Sequence, residues 1–186
     1  MSGGPRYLFP KRYSDLVQRF RVASGFLLLV VFTWLPEPTR ASLMAGLSVA
    51  VVGLLLRGWA AGHLAKNEQL AMSGPYAYMR NPLYAGTLIT ALGMVIAARS
   101  IWLAMLFAVV FFVVYLPAIE LEEQHLREIF PEYAAYAQHI PRFLPIAKWQ
   151  GPAARFSWKR YWRNEEYKAA AGFLVATAWL VIRFRS

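Results

Sequence analysis

Residues 101–119 read IWLAMLFAVVFFVVYLPAI and contain no charged side chain. A helix needs about 20 predominantly apolar residues to cross the hydrocarbon core of a bilayer. This run is close to that length, and it predicts a helix that crosses a membrane. The chain is 58% hydrophobic and 16% aromatic over 186 residues, which is typical of a membrane protein rather than of a soluble domain.

Further apolar runs lie on both sides of this one. Residues 41–56 and 82–98 are equally free of charge, whereas 22–35 and 169–182 are shorter. In lipid, only helices and closed barrels satisfy the backbone, and alternating strands are absent here. The sequence therefore predicts an all-α integral-membrane bundle with four to five transmembrane helices, in one domain covering residues 1–186. The predicted spans are about 20–36, 41–64, 81–98, 101–119 and 168–183. The last run could instead lie in the interface or along the bundle.

The net charge is +10, and its distribution favours a membrane over a nucleic-acid partner. Basic residues precede the first run (Arg6, Lys11, Arg12, Arg19, Arg21) and recur around the 61–81 loop and the 120–168 segment. The short connections 36–40 and 99–100 hold one basic residue each. The positive-inside rule places the N-terminus and both longer segments in the cytoplasm, in a multi-pass protein of the cytoplasmic membrane. No cleavable signal is expected, and the absence of Cys excludes disulfides and thiolate metal sites.

Local signals refine the helix ends and contacts. Asn81 followed by Pro82 predicts a capped helix start, because Asn is a preferred N-cap and proline suits the first turn. Pro117 should bend the helix that contains it. Gly46 and Gly53, seven residues apart, should allow a neighbouring helix to approach closely.

Polar motifs lie around the two apolar runs between residues 73 and 145. They are Gly74-Pro75-Tyr76, Arg80-Asn81-Pro82-Leu83-Tyr84, Glu122-Glu123-x-x-Leu126, Tyr133-x-x-Tyr136 and Pro141-Arg142.

Each motif has a functional and a plain structural interpretation. The helix start at Asn81 could bind a carboxylate or could simply cap the helix. Glu122 could face a cationic ligand or belong to a solvated acidic face. The tyrosines could stack on a ligand or form an interfacial belt. Glu122 and His125 have the Glu-x-x-His spacing of di-iron bundles, but the first three spans supply no further carboxylate, so no metal site is expected.

The order and spacing of these motifs resemble the C-terminal half of the integral-membrane methyltransferases, the isoprenylcysteine carboxyl methyltransferase and phospholipid methyltransferase group. The resemblance covers roughly residues 61–145. It implies S-adenosyl-L-methionine-dependent methyl transfer to a lipophilic acceptor taken from the membrane, with a cytoplasmic C-terminal cap, 120–150, over the cofactor. The implied cofactor-binding residues are Glu68, Gln69, Leu70, Ala71, Tyr76, Asn81, Pro82, Leu83, Tyr84, Glu122, Glu123, Leu126, Tyr133 and Tyr136.

The residues expected nearest the chemistry are Glu122, Arg142 and Arg57. The resemblance implies the first two, whereas Arg57 lies at the cytoplasmic end of the second predicted span and could instead only anchor it there. An amine or hydroxyl acceptor needs a base, and Glu122, Glu123 or His125 could serve. The isoprenylcysteine enzymes place an Arg where this chain has Ala118, so Arg57 or Arg142 would have to meet an acceptor's carboxylate. The alternatives are N-methylation of a phospholipid amine and a non-catalytic membrane scaffold or transporter subunit. The acceptor, O- versus N-methylation and the oligomeric state stay open.

Overall fold

The computed structural model describes residues 11–151 and 154–185. The regular elements in these residues are helical, and no strand occurs among them, so the predicted all-α fold is confirmed. The helices are α1 (Lys11–Trp34), α2 (Arg40–His63), α3 (Pro82–Ala98), α4 (Ile101–Val110), α5 (Leu116–Ile129), α6 (Tyr133–His139), α7 (Trp158–Arg163) and α8 (Tyr167–Arg185). A 3-10 turn, Gly74–Ala77, precedes α3, and a π-helical segment, Phe111–Tyr115, joins α4 to α5.

Within the described part of the chain, three helices are long and apolar enough to cross a membrane. They are α2, the continuous helix Ile101–Ile129 and α8, and shorter apolar helices cover Ser24–Trp34 and Pro82–Ala98. This agrees with a membrane bundle. The division into spans, including a crossing by α8, stays a prediction. Of the residues predicted to anchor the N-terminus in the cytoplasm, Arg6 lies outside the described residues, and for Lys11, Arg12, Arg19 and Arg21 the structure describes the backbone alone.

Glycines bring α2 and α3 into backbone contact. A Cβ on Gly46 would come within 2.7 Å of the Cα of Ala97, and a Cβ on Gly53 within 2.6 Å of the carbonyl oxygen of Gly86. Only residues without a side chain allow two helix backbones to lie this close. The predicted role of Gly46 and Gly53 is confirmed, and the contact holds α2 and α3 in fixed relative positions.

The helix that carries the acidic motif is irregular just before Pro117, where the π-helical segment ends. Proline has no N–H to donate to the carbonyl of Val113, and the Tyr13 hydroxyl donates to that carbonyl at 2.9 Å. A π segment of this kind is a recognised source of bending in a long helix. Helix α1 therefore contacts the π-helical segment, where the regular hydrogen bonding changes.

The residues after α6 pair with the start of α3. Arg80 N–H donates to the Pro141 carbonyl at 2.9 Å, and Asn81 N–H donates to the Arg142 carbonyl at 3.1 Å. We call these two bonds the backbone clasp. The clasp holds α6 over the ends of α3 and α5.

The connection before α8 packs on the end of α2. Ser157 N–H donates to the Gly62 carbonyl at 3.0 Å. The Asn164 side-chain amide donates to the carbonyls of Ala61 at 2.8 Å and Leu64 at 3.0 Å. These bonds satisfy carbonyls that the end of a helix leaves without intrahelical partners.

Candidate functional site

A cavity of about 950 Å³ opens where the ends of α2, α3 and α5 meet α6 and the α7–α8 connection. This volume lies at the upper end of the range for small-molecule and cofactor sites. Most of the residues singled out from the sequence line it. They are Arg57, Gln69, Leu70, Ala71, Tyr76, Asn81, Pro82, Leu83, Tyr84, Glu122, Leu126, Tyr133 and Tyr136.

Three of the singled-out residues do not line the cavity. Glu68 is exposed and pairs with Arg163 at 2.8 Å. Glu123 and Arg142 bind each other behind the cavity wall. The structure therefore does not bring these three together with the others at the cavity, and a contact between them and a cofactor stays a prediction.

Glu122 faces the cavity from α5. It is exposed, and its Oε2 accepts a hydrogen bond from the Tyr84 hydroxyl at 2.9 Å. Tyr84 comes from the first turn of α3, and its ring packs edge-on against Tyr115, with the centroids 6.5 Å apart. The bond from Tyr84 fixes one carboxylate oxygen of Glu122. An open, oriented carboxylate of this kind suits a positively charged ligand group.

The neighbouring Glu123 turns the other way into the protein. Its Oε1 accepts hydrogen bonds from Asn81 Nδ2 at 2.7 Å and Arg142 Nε at 3.2 Å. Its Oε2 accepts from Arg142 Nη2 at 2.9 Å and lies 3.6 Å from Arg80 Nη1. Burial alone would lower the pKa of Arg142, but hydrogen bonding to Glu123 and its charge raise the pKa overall. Glu123 thus joins α5, the start of α3 and the clasp.

The side chain of Asn81 does not cap α3. Helix α3 begins at Pro82 as predicted, but the Asn81 side chain makes no capping hydrogen bond. The expectation of a side-chain cap is wrong: the Asn81 side chain is held by a charged partner, since its amide nitrogen donates to the buried carboxylate of Glu123, rather than by the N–H groups of the first helical turn.

Buried tyrosines form one wall of the cavity. The Tyr136 hydroxyl donates to the Tyr76 carbonyl at 2.6 Å, and the Tyr133 and Tyr136 rings meet edge-on at 6.0 Å. Tyr133 is 1% exposed, and within the described residues its hydroxyl has no hydrogen-bond partner. Burial raises the pKa of all three phenols above the ordinary value, so they stay neutral. Neutral phenol rings present electron-rich faces to a cation.

His63 lies outside this cavity lining. It is 6% exposed, and its Nδ1 lies 3.1 Å from Ser73 Oγ. Gly74 has φ +60, and a Cβ there would fall 2.5 Å from the His63 ring. His63 therefore packs under the turn that places Tyr76.

Glu166 is a site residue that the sequence analysis missed. It lines the cavity and forms a two-pronged ion pair with Arg57, with Nε to Oε1 at 2.5 Å and Nη2 to Oε2 at 2.9 Å. The remaining Nη1 of Arg57 donates to Thr87. One signal for this pair was present in the sequence: two adjacent carboxylates, Glu165 and Glu166, stand in an otherwise basic and aromatic stretch.

Comparison with known proteins identifies the family to which the chain is similar. A family model described as phospholipid methyltransferase matches residues 20–133. The cobalt-zinc-cadmium resistance protein CzcN of Cupriavidus metallidurans is 36% identical over 61% of this chain and 52% of its own length. Phosphatidylethanolamine N-methyltransferase B of Dictyostelium discoideum is 31% identical over 50% of the chain and 52% of its own length.

A more distant relative covers more of the chain. Protein-S-isoprenylcysteine O-methyltransferase of Schizosaccharomyces pombe is 26% identical over 78% of the chain and 61% of its own length. The chain spans about half the length of the first two of these relatives. No solved structure matches.

Proposed function

Because the chain belongs to the phospholipid methyltransferase family, we propose that it transfers a methyl group from S-adenosyl-L-methionine to a lipophilic acceptor in the membrane. The observation that carries the proposal is the pairing of Tyr84 with Glu122 in a large cavity at the ends of apolar helices. A polar cofactor could reach this cavity from the aqueous side, and an acceptor could reach it from the bilayer.

The residues at the cavity fit such a cofactor. The Glu122 carboxylate offers a partner for an ammonium or sulfonium charge. Of the tyrosines that line the cavity, Tyr133 already has the Arg127 guanidinium 5.3 Å from its ring centroid, so Tyr76 and Tyr136 would supply a cation–π contact. The backbone of 69–71 and the first turn of α3 supply further polar groups at the cavity surface. When bound, S-adenosyl-L-methionine supplies an electrophilic methyl group on sulfur.

The work of the protein is then orientation and exclusion of water. Methyl transfer is an in-line displacement, and holding the two reactants in line supplies much of the rate. The π segment and the apolar residues of α3 and α5 keep the bilayer side of the site dry. A carboxylate acceptor needs no base. For an amine or hydroxyl acceptor, Glu122 or His125 would accept the proton, whereas Glu123 is already bound by Arg142 and Asn81.

The acceptor class follows from the family and from the arginines. The two arginines that could replace the missing Arg at Ala118 are both occupied, Arg57 by Glu166 and Arg142 by Glu123. This favours a lipid amine or hydroxyl over a prenylcysteine carboxylate. We place the reaction at the cytoplasmic membrane, with α6 and the clasp on the cytoplasmic side.

Binding of S-adenosylhomocysteine to the purified protein tests the proposal. We expect saturable binding by isothermal titration calorimetry, weakened at least tenfold by Glu122→Ala, because the oriented carboxylate is lost. Tyr84→Phe should weaken binding less, since it removes one hydrogen bond to Glu122. Glu132→Ala is the control, because Glu132 is an exposed carboxylate that does not line the cavity. Unchanged affinity in Glu122→Ala, with the fold intact, would refute the site.

The resistance protein among the relatives gives a second candidate function, a part in tolerance of divalent metals. Complementation of a metal-sensitive strain separates the two. If tolerance requires Glu122, methyl transfer is the contribution. If Glu122→Ala restores full tolerance, the role in tolerance is non-catalytic.

A further inference from the structure

A buried carboxylate from the C-terminal part of the chain neutralises the cation in the cavity wall. The Glu166 side chain is 7% exposed, and that of Arg57 is 23% exposed. Both nitrogens of the ion pair contact separate carboxylate oxygens, and Thr87 binds the third nitrogen. This two-pronged geometry is the strongest that an Arg and a carboxylate form. The guanidinium of Arg57 has little capacity left for a ligand.

The backbone around Glu166 is built to hold it there. Glu165 has φ 53, a left-handed conformation that is uncommon outside glycine. This turn sends Glu165 outward to Lys168, at 2.6 Å, and Glu166 inward to Arg57. Asn164 fixes the same turn to the end of α2 through the Ala61 and Leu64 carbonyls. Strain of this kind persists where surrounding contacts determine the conformation.

The other cations at the cavity do not replace Arg57. Arg80 faces the buried Glu123, 3.6 Å away. Lys66 is exposed, so its ammonium is in water at the rim. The wall beside Thr87 is therefore electrically neutral only because Glu166 is present.

We propose that Glu166 is a specificity-determining residue that selects acceptors whose group beside Arg57 carries no negative charge. The inference rests on the proposed function, in that it takes this cavity as the acceptor site. An anionic group could bind Arg57 only by displacing Glu166. The displaced carboxylate would then be buried without a partner, which is strongly unfavourable. Neutral hydrogen-bonding groups and amines face no such penalty.

Two probes of equal chain length test this selection in phosphatidylcholine nanodiscs. Decanol is neutral and decyl phosphate is anionic, and their binding is measured by titration calorimetry with empty nanodiscs subtracted. The wild-type protein should bind decanol at least tenfold more tightly than decyl phosphate. Equal or tighter binding of the phosphate overturns the proposal, and this measurement needs no variant.

Glu166→Gln removes the counter-charge with little change of shape. It should raise the affinity for decyl phosphate at least tenfold and leave decanol within threefold, because Arg57 becomes free to pair with the anion. Glu165→Gln is the matched control, since Glu165 is the adjacent exposed carboxylate and should leave both probes within threefold. The double variant Arg57→Gln, Glu166→Gln should return the phosphate to the wild-type affinity.

The outcomes separate the proposals. No gain in Glu166→Gln, an equal gain in Glu165→Gln, or a gain that survives in the double variant overturns the role of Glu166. S-adenosylhomocysteine is titrated into the same samples. A protein that binds it but shows no change in phosphate affinity refutes only the role of Glu166. A protein that shows the change but does not bind it refutes only methyl transfer.

Discussion

The adjacent residues Glu122 and Glu123 should separate ligand binding from stability when each is changed to Ala. Glu123 is 4% exposed and accepts hydrogen bonds from Asn81 and Arg142. Removing one partner of a buried ion pair costs about 3–5 kcal/mol. The Arg142 side chain is 25% exposed, so water can partly solvate it, which favours the lower end, about 3 kcal/mol.

This loss converts to a measurable shift in thermal unfolding. A protein of this size loses about 2–4 °C of Tm per kcal/mol, so Glu123→Ala should unfold about 6–12 °C lower. Glu122→Ala removes an exposed carboxylate with one hydrogen bond, and its Tm should change by no more than about 2 °C. Both changes fall in the same helix, so the effect of Ala on helix propensity is matched.

Binding of S-adenosylhomocysteine should show the reverse order. Measured well below both unfolding temperatures, Glu122→Ala should lose at least tenfold in affinity and Glu123→Ala no more than threefold. The reasoning is wrong if Glu123→Ala unfolds at the wild-type temperature. It is equally wrong if Glu123→Ala, still folded, loses affinity as severely as Glu122→Ala, because Glu123 would then act on the ligand.

Three further predictions use other parts of the structure. Gly46→Ala should lower the free energy of unfolding by about 1–3 kcal/mol, because the new Cβ would meet the α3 backbone. Gly172 has open space around it, so Gly172→Ala should be neutral or stabilising. Chemical denaturation compares the two variants, and equal effects would contradict the helix contact. In intact cells, cysteine introduced at exposed Glu37 should react with a membrane-impermeant reagent and cysteine at exposed Gln150 should not; the opposite pattern reverses the topology. Stability should fall above about pH 10, because the unfolded chain ionises its tyrosines there while burial keeps the folded phenols protonated. Below that pH the stabilisation is complete. A denaturation midpoint that is flat from pH 9 to 11 would contradict this prediction. The phenols concerned are those of Tyr76, Tyr133 and Tyr136.

The helical class of the fold was predictable because it depends on run length alone. An uncharged run such as 101–119 can satisfy its backbone in lipid only as a helix or in a barrel. The close approach at Gly46 was predictable for a similar reason, since small residues at a seven-residue spacing lie on one helix face. Both signals are local and need no knowledge of the partner.

The motifs predicted which side chains lie near the ligand, but not which of them bind each other. Tyr84 and Glu122 are 38 residues apart, and the resemblance placed both near a ligand without showing that they bind each other. It also grouped Glu122 with Glu123, although successive residues on a helix point about 100° apart and these two face opposite environments.

Longer-range pairs left no pattern that identifies both partners. Arg57 and Glu166 are 109 residues apart; the basic charge of its surroundings accounts for Arg57, and although Glu166 stands out in a basic segment, nothing in the sequence connects it with Arg57. Asn81 similarly satisfied every rule for an N-cap, yet its amide binds a carboxylate from another helix. In both cases the partner is set by tertiary contacts between segments far apart in the sequence.

The backbone clasp between α3 and the residues after α6 has a consequence for sequence variation. Its bonds run from Arg80 N–H to the Pro141 carbonyl and from Asn81 N–H to the Arg142 carbonyl, so they join main-chain atoms alone. Most substitutions in the cap would leave them unchanged. A single-residue insertion or deletion between α6 and Arg142 would shift the pairing by one position and carry the guanidinium away from Glu123. This stretch should therefore accept new side chains but not a new length.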